Sequence, residues 1–136
     1  MGSEMCIRDR LNDHQPNKTL AIVTYGNGTF LSRKAANKLL RDDIKTKIID
    51  LRWLVPLPID RIIDEIGKIK NVLIVDECRK TGSPSEELLA AFAERELGYS
   101  IKRICGEDTF IPLGPAADAV LVQENDIVDA ARALIT

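Results

Sequence analysis

The sequence is poor in the residues that most often mark a metal centre or a disulfide framework. Its 136 residues include one histidine, His14, and three widely spaced cysteines, Cys6, Cys78 and Cys105. No Cys-x-x-C pair occurs and the cysteine count is odd, so neither a zinc site nor a disulfide framework is supported. Unpaired thiols are typical of a reducing, cytosol-like compartment.

Long apolar runs and an excess of one charge are also missing. No apolar segment approaches the roughly 20 residues that span a membrane, so no membrane role is predicted. The 19 basic residues are balanced by 21 acidic ones, and the electrostatic footprint of a nucleic-acid-binding protein is absent. With 45% hydrophobic and 29% charged residues, the composition is that of an ordinary soluble globular domain.

The first 17 residues differ in character from the rest of the chain. They contain neither the apolar core of a signal peptide nor an amphipathic pattern. Residues 4–10, Glu-Met-Cys-Ile-Arg-Asp-Arg, resemble translated adapter sequence. Residues 1–17 are therefore assigned as a non-native or disordered tail, and residues 18–136 as the domain.

From residue 20 onward, strand and helix patterns alternate. The strands are predicted at residues 20–25, 47–51, 71–76 and 101–105, with a short extended segment at 119–122. The helices are predicted at residues 30–41, 60–70, 84–97 and 127–135. Because the strands are continuously apolar, both faces of the sheet should be covered. The predicted fold is α/β, a three-layer α/β/α sandwich with a mainly parallel sheet of four to five strands.

A glycine turn and a downstream acid resemble part of a dinucleotide-binding site. Gly26 and Gly28 lie between a strand and a helix, and Asp50 ends the next strand about 20 residues later. Leu31 replaces the third glycine, so the fingerprint is incomplete. Two interpretations stay open: a small nucleotide-binding α/β domain, and a tight turn, which the missing glycine favours.

Two polar clusters follow the third and fourth predicted strands, where parallel sheets usually place their sites. Cys78 beside Arg79 and Lys80 would need a base to act as a nucleophile, and the only histidine lies in the tail. Glu107 and Asp108 are interpreted as turn caps or solvated groups rather than as an acid–base pair. The sequence therefore predicts no catalytic, cofactor-binding or metal-binding residue.

The segment 50–58, Asp-Leu-Arg-Trp-Leu-Val-Pro-Leu-Pro, is too apolar for an ordinary loop. It contains the only tryptophan, Trp53, next to Arg52, and its two prolines restrict the backbone. Such a loop is expected to pack against another surface. Residues 52–58 are called the Trp53 loop below.

Four segments occur in the order and spacing of one known family. They are residues 21–28 (Ala-Ile-Val-Thr-Tyr-Gly-Asn-Gly), 49–57 (Ile-Asp-Leu-Arg-Trp-Leu-Val-Pro-Leu), 75–82 (Val-Asp-Glu-Cys-Arg-Lys-Thr-Gly) and 106–112 (Gly-Glu-Asp-Thr-Phe-Ile-Pro). The chain resembles the C-terminal domain of transketolase-type, thiamine-diphosphate-dependent enzymes. It is most similar to the E1 β-type part of 2-oxoacid dehydrogenases, with transketolase or 1-deoxyxylulose-5-phosphate synthase as the alternative.

The resemblance implies a non-catalytic assembly and docking domain. Thiamine diphosphate and Mg²⁺ would lie between two other domains of a homodimeric or heterotetrameric parent enzyme, so this domain would bind no cofactor. It would support a neighbouring domain and help dock the lipoyl-carrying E2 acyltransferase. The parent reaction would be oxidative decarboxylation of a 2-oxoacid with acyl transfer to lipoamide. The interface candidates are Arg52, Trp53, Leu54, Pro56, Glu77, Arg79 and Lys80.

Two features depart from the family pattern. The family carries an antiparallel strand before the one at residue 20, whereas residues 12–17 are predicted as loop, which would leave a sheet edge exposed. The family also often has Gly-Gly after the position of Thr81. Here Gly82 is followed by Ser83 and Pro84, which favours a stiff, capped helix start with Glu86 completing the capping box.

Overall fold

A computed structural model of the chain describes residues 7–11, by their backbone, and residues 17–136. Its strands are β1 (Ile7–Leu11), β2 (Leu20–Thr24), β3 (Thr46–Leu51), β4 (Asn71–Arg79) and β5 (Ser100–Gly106). Its α-helices are α1 (Asn27–Leu39), α2 (Ile59–Ile66), α3 (Pro84–Glu94) and α4 (Glu124–Ile135). The strands form one sheet in the order β1-β3-β2-β4-β5. β2, β3, β4 and β5 are parallel, and β1 is antiparallel to β3.

The two faces of the sheet are covered by different helices. Leu20 and Ile22 of β2 belong to a core with α1 and α4, whereas Ala21 and Val23 belong to a second core with α2 and α3. Because successive strand side chains point to opposite faces, an apolar strand needs this cover on both sides. The predicted three-layer α/β/α sandwich is confirmed.

The sheet edge beside β3 is not exposed. Ile7 pairs with Leu51 and Leu11 pairs with Ile48, so β1 occupies the antiparallel edge position. The prediction that this strand is replaced by loop was wrong, because the strand lies at residues 7–11, inside the segment assigned as tail. The rest of that assignment, at residues 1–6 and 12–16, lies outside the described residues, and the domain boundary stays a prediction.

Several element boundaries differ from the sequence patterns, including the start of α1 at Asn27 rather than Phe30 and the end of β4 at Arg79 rather than Asp76. α2 ends at Ile66, earlier than predicted, because Gly67 adopts a left-handed φ of 59°. α3 ends at Glu94, and Glu96 follows with a positive φ of 50°. The extended segment predicted at 119–122 was wrong. A 3₁₀ helix spans Gly114–Ala119, and the backbone N–H groups of the next two residues donate to the carbonyl of Ala117.

The start of α3 is capped by a distant residue. The predicted box of Ser83 and Glu86 does not form: the Ser83 hydroxyl pairs with that of Ser85, 2.8 Å away. Instead, Asp76 of β4 accepts a hydrogen bond from the backbone N–H of Ser85 at 3.1 Å. The sequence spacing therefore predicted the helix start correctly, but the predicted cap was wrong. The fold brings the Asp76 carboxylate, a stronger acceptor than a hydroxyl, to the helix start.

Two further predictions about helices α1 and α4 need correction. α4 begins after Gln123, which forms a capping box with Asp126 and lies two or three residues before the predicted caps, Asn125 or Asp126. Leu40, expected on the buried face of α1, is 44% exposed because the helix tightens into a 3₁₀ turn there. Within the described residues, no helix combines the length and apolar character needed to cross a membrane.

Candidate functional site

The carboxyl ends of β2, β3, β4 and β5 lie along one edge, which we call the carboxyl edge. A cleft of about 760 Å³ opens there between the start of α1, the end of β4 and the segments 106–111 and 120–122. Its walls include Leu31, Val75 and Val122. β3 and β4 flank β2 on opposite sides, so the cleft lies at the point where the strand order reverses, the usual ligand position in open α/β sheets.

The start of α1 is already occupied by a carboxylate of the protein. The Asn27 backbone N–H donates to Glu77 Oε2 at 2.8 Å. Gly26 has a left-handed φ of 54°, and a β-carbon there would lie 2.2 Å from Glu77 Oε1. Glu77 therefore stands where a bound phosphate would accept the Asn27 N–H.

Asp50 is likewise engaged within the fold. Its side chain is buried, Oδ1 accepts from the Thr29 hydroxyl at 2.8 Å and Oδ2 lies 3.1 Å from Arg52 Nη2. A ribose would have to displace Thr29. The fold brings Gly26, Gly28 and Asp50 to one edge as a nucleotide site requires, but protein groups fill the ligand positions.

Asp76 is the most buried acid of this edge. Its carboxylate accepts hydrogen bonds from the Tyr25 hydroxyl at 2.5 Å, the Cys78 N–H at 2.8 Å and the Ser85 N–H at 3.1 Å. Burial raises the pKa of Asp76, but hydrogen bonds from Ser85, Tyr25 and Ser83 outweigh it, and the net pKa is lowered. Burial and the bond to Asp76 raise the pKa of Tyr25 strongly. The cluster ties β2, β4 and α3 together.

Cys78 and the paired acids take up the positions expected of structural or solvated groups. Cys78 is an exposed free thiol. Asp108 accepts from the Thr81 N–H at 2.8 Å and from the Thr81 hydroxyl at 2.6 Å, and these bonds lower the pKa of Asp108. Glu107 faces solvent. In the part of the chain that the structure describes, no three His, Cys, Asp or Glu residues converge on a metal position.

The Trp53 loop presents Trp53 and Val55 to solvent, whereas Leu57 is buried in the α2–α3 core. Trp53 is 42% exposed and Val55 is 84% exposed, whereas Leu54 packs partly against the α2–α3 core. Pro56, which follows a cis peptide bond, is exposed. Arg52 is also exposed and pairs with Asp50. The loop follows β3, at one end of the carboxyl edge.

The other interface candidates, Glu77, Arg79 and Lys80, lie nearer the centre of the carboxyl edge. Arg79 and Lys80 are exposed at the end of β4, where Arg79 lines the cleft, while Glu77 is half-buried against α1. The fold therefore brings all the interface candidates to the carboxyl edge. Whether they contact a partner stays a prediction.

Sequence reasoning missed a second apolar loop, residues 107–113, which we call the Phe110 loop. It follows β5, and its exposed side chains include Phe110 at 97%, Leu113 at 96% and Ile111 at 61%. The signal was present, because Phe-Ile-Pro-Leu is as apolar and stiff as the Trp53 loop.

These features define a doubly wound α/β domain whose carboxyl edge is apolar and exposed at both ends. Residues 10–127 match the family described as "Transketolase, C-terminal domain". The match covers most of the chain. The chain belongs to the transketolase C-terminal domain family.

Relatives among characterised proteins are longer than this chain. The pyruvate dehydrogenase E1 component subunit beta of Bacillus subtilis (strain 168) is 31% identical over 119 residues, which cover 85% of this chain and 37% of that protein. The corresponding subunit of Staphylococcus aureus (strain Mu50) is 29% identical over 126 residues, covering 90% of this chain and 39% of that protein. The matched region is thus about two fifths of these relatives.

Solved structures share the fold at low sequence identity. A split-gene transketolase, an inactive β4 tetramer, superposes with a TM-score of 0.77 at 19% identity, covering 89% of this chain and 40% of that one. The 2-oxoglutarate:ferredoxin oxidoreductase of Magnetococcus marinus, with 2-oxoglutarate, coenzyme A and succinyl-CoA bound, gives 0.62 at 18% identity, covering 90% of this chain and 18% of that one. At these identities the likeness establishes the fold alone.

Proposed function

We propose that the chain is a non-catalytic assembly and docking domain of a thiamine-diphosphate-dependent 2-oxoacid dehydrogenase E1 component. The likeness to pyruvate dehydrogenase E1 subunits beta, at 31% and 29% identity, supports this parent over transketolase or 1-deoxyxylulose-5-phosphate synthase. In the full enzyme, which we propose to be a homodimer or a heterotetramer, thiamine diphosphate and Mg²⁺ would be held by other domains. The E2 lipoyl acyltransferase would be the external partner.

The exposed apolar side chains of the carboxyl edge carry the proposal. Val55 is 84% exposed, Phe110 is 97% exposed and Leu113 is 96% exposed. Leaving such groups in water forgoes roughly 1.5–3 kcal/mol of burial per large side chain. Exposed apolar patches on a folded domain often mark interaction sites, and a docking domain needs one.

The contacts of Glu77 and Asp50 agree with a domain that holds no cofactor. Glu77 occupies the start of α1, and Asp50 is bonded to Thr29 and Arg52. The parent is proposed to be cytoplasmic, a reducing compartment that suits the free thiols of Cys78 and Cys105.

Calorimetric titration of the purified chain with thiamine diphosphate and Mg²⁺ tests the cofactor-free part of the proposal. We expect no heat of binding. Micromolar affinity would refute it, because the cofactor would then have a site inside this domain.

The docking role is tested in the full-length enzyme, obtained by extending the reading frame upstream. Trp53→Ala should weaken subunit or domain association, since a central aromatic anchor typically costs at least about 2 kcal/mol when truncated. Leu40→Ala is the matched control: Leu40 is 44% exposed, close to the 42% of Trp53, but lies at the opposite edge of the sheet. Unchanged sedimentation and melting temperature in Trp53→Ala would count against docking.

A further inference from the structure

We infer that Cys78 and Cys105 form an oxidisable thiol pair, a modification site that peroxide converts into a reversible disulfide between the ends of β4 and β5. Both residues are free cysteines in the structure. The inference concerns the chemistry of this chain and does not rest on the proposed docking function.

A bulge in β4 sets the two cysteines opposite each other. At Val75 the paired residue of β5 lies 29 positions later in the chain (104 − 75), whereas at Arg79 it lies 27 positions later (106 − 79). Cys105 follows Cys78 by 27 positions (105 − 78), so it is the register after the bulge that makes them neighbours across the two strands. Bulges commonly serve to re-aim a side chain in this way.

The resulting separation suits a disulfide. Neighbouring strands lie about 4.8 Å apart, and disulfides join residues whose Cα atoms are roughly 4.4–6.8 Å apart. A β-carbon at Gly106 would lie 3.2 Å from the carbonyl oxygen of Cys78. The backbone of Cys78 therefore packs directly against the residue that follows Cys105.

Both thiols also lie on the α2–α3 side of the sheet. The Cys78 side chain is within hydrogen-bonding reach of the Tyr25 hydroxyl, and Tyr25 belongs to the α2–α3 core. On β5, Arg103 points towards α3, where its Nη1 lies 3.9 Å from Glu86 Oε1. Because side chains two positions apart share a face of a strand, Cys105 points the same way as Arg103.

Arg103 holds the two strand ends together around the thiols. Its Nη2 donates to the carbonyl of Lys80, two residues after Cys78, and lies 3.5 Å from the Cys105 Sγ. One guanidinium thus contacts both segments that carry the pair. Groups that are positioned before they react lose less freedom when the bond forms.

The exposure of the two sulfurs assigns the order of reaction. Cys78 is exposed and lines the cleft of the carboxyl edge, whereas Cys105 is half-buried. Oxidants react first with the accessible thiol, and a neighbouring cysteine then resolves the product. In a reducing compartment such a disulfide is transient, as it is in redox-sensing proteins.

The reaction consumes one molecule of hydrogen peroxide. The Cys78 sulfur attacks a peroxide oxygen, the O–O bond breaks, and a sulfenic acid and one water form. The Cys105 sulfur then attacks the Cys78 sulfur, the S–O bond breaks, and the hydroxyl leaves with the thiol proton as a second water. The two sulfurs lose two electrons in total, and these reduce the peroxide.

Peroxide treatment of the folded chain carrying Cys6→Ser tests the pair, because that substitution leaves two thiols. The thiol count should fall from two to none, and dithiothreitol should restore it. Trypsin should release peptides 71–79 and 104–132 joined by a disulfide, at a yield independent of protein concentration. Thiols that stay titratable, links between two copies of the chain, or oxidation that dithiothreitol does not reverse would each overturn the inference.

A relocated thiol provides the matched control. Lys102 lies on β5 but pairs with Leu73 and is exposed, so Cys105→Ser with Lys102→Cys keeps two thiols and moves the second away from Cys78. No disulfide to peptide 71–79 should form in this variant, and dimedone should instead trap the Cys78 sulfenic acid. An equal disulfide yield from the relocated thiol would also overturn the inference, because the register would then not select the pair.

Discussion

The hydroxyl of Tyr25, just after β2, donates a 2.5 Å hydrogen bond to the carboxylate of Asp76 on β4. The two residues are 51 positions apart in sequence, and both are buried. Asp76 also accepts from the Ser85 N–H at the start of α3. One carboxylate thus joins the ends of β2 and β4 to the start of α3. These bonds fix the end of β4 at the carboxyl edge.

Asp76 should make the domain less stable at acidic pH. Its pKa is lowered in the folded state, so its contribution is present above the unfolded pKa of about 3.9 and is lost as pH falls through the lower, folded value. Urea unfolding from pH 6 to pH 2.5 should show this loss, and Asp76→Asn should flatten it while costing about 1.5–3 kcal/mol at pH 6. An equally steep acid dependence in Asp76→Asn would show that other carboxylates are responsible.

Tyr25 should make the domain less stable at alkaline pH. Its pKa is raised in the folded state by burial and by the bond to Asp76. Its contribution is therefore complete below the unfolded pKa of about 10 and is lost as pH rises above that value. Tyr25→Phe should reduce the alkaline loss of stability more than Tyr99→Phe does, because burial alone raises the pKa of Tyr99. Equal effects of the two variants would contradict this assignment.

Gly28 and Thr24 should show strong energetic coupling. A β-carbon at Gly28 would lie 2.3 Å from Thr24 Oγ1, a buried oxygen that has no hydrogen-bond partner among the described residues. Gly28→Ala should therefore cost about 1–3 kcal/mol by overpacking. Adding Thr24→Ala makes room, so the double variant should unfold at higher urea than Gly28→Ala alone. Simple additivity of the two changes would argue against the contact.

The isolated chain should not bind NAD. The carboxylate of Glu77 occupies the helix start that would receive the pyrophosphate, and Asp50 is bonded to Thr29. Calorimetric titration with NAD should give no binding heat for the unmodified chain or for Asp50→Ala. Measurable affinity that Asp50→Ala abolishes would restore the nucleotide-binding interpretation.

The Asp108–Thr81 pair should control the order of the Phe110 loop. The pKa of Asp108 is lowered by its hydrogen bonds with Thr81, so the pair is intact above the unfolded pKa of about 3.9 and weakens as pH falls below it. Asp108→Ala should speed amide exchange in residues 107–113 at pH 7 and leave β2 protected. Glu107→Ala is the control, because Glu107 is exposed beside it. Equal exchange in the two variants would mean that the pair does not order the loop.

Much of the fold was readable from the sequence because its signals are local. The continuous apolar run of β2 predicted a strand covered on both faces, and the structure divides it between two cores. The end of α2 was misjudged because the isoleucine pattern continues to Ile69, beyond the point where Gly67 breaks the helix. β1 was missed because residues 7–11 carry alternating charge and little apolar character, and only pairing with β3 makes them a strand.

By itself the sequence determined the α/β class, the family and the composition of two stiff apolar loops, because apolar periodicity, glycine turns and ordered motifs act over a few residues. Only the tertiary structure decided which carboxylates are already hydrogen-bonded within the fold. Glu77 accepts from the start of α1, Asp50 accepts from Thr29, and Asp76 accepts from Tyr25 and Ser85. It also decided that the Trp53 loop and the Phe110 loop share one edge, because the parallel sheet aligns the ends of β3 and β5. Contacts between residues 9 to 51 positions apart depend on strand order and register, which no local pattern in the chain records.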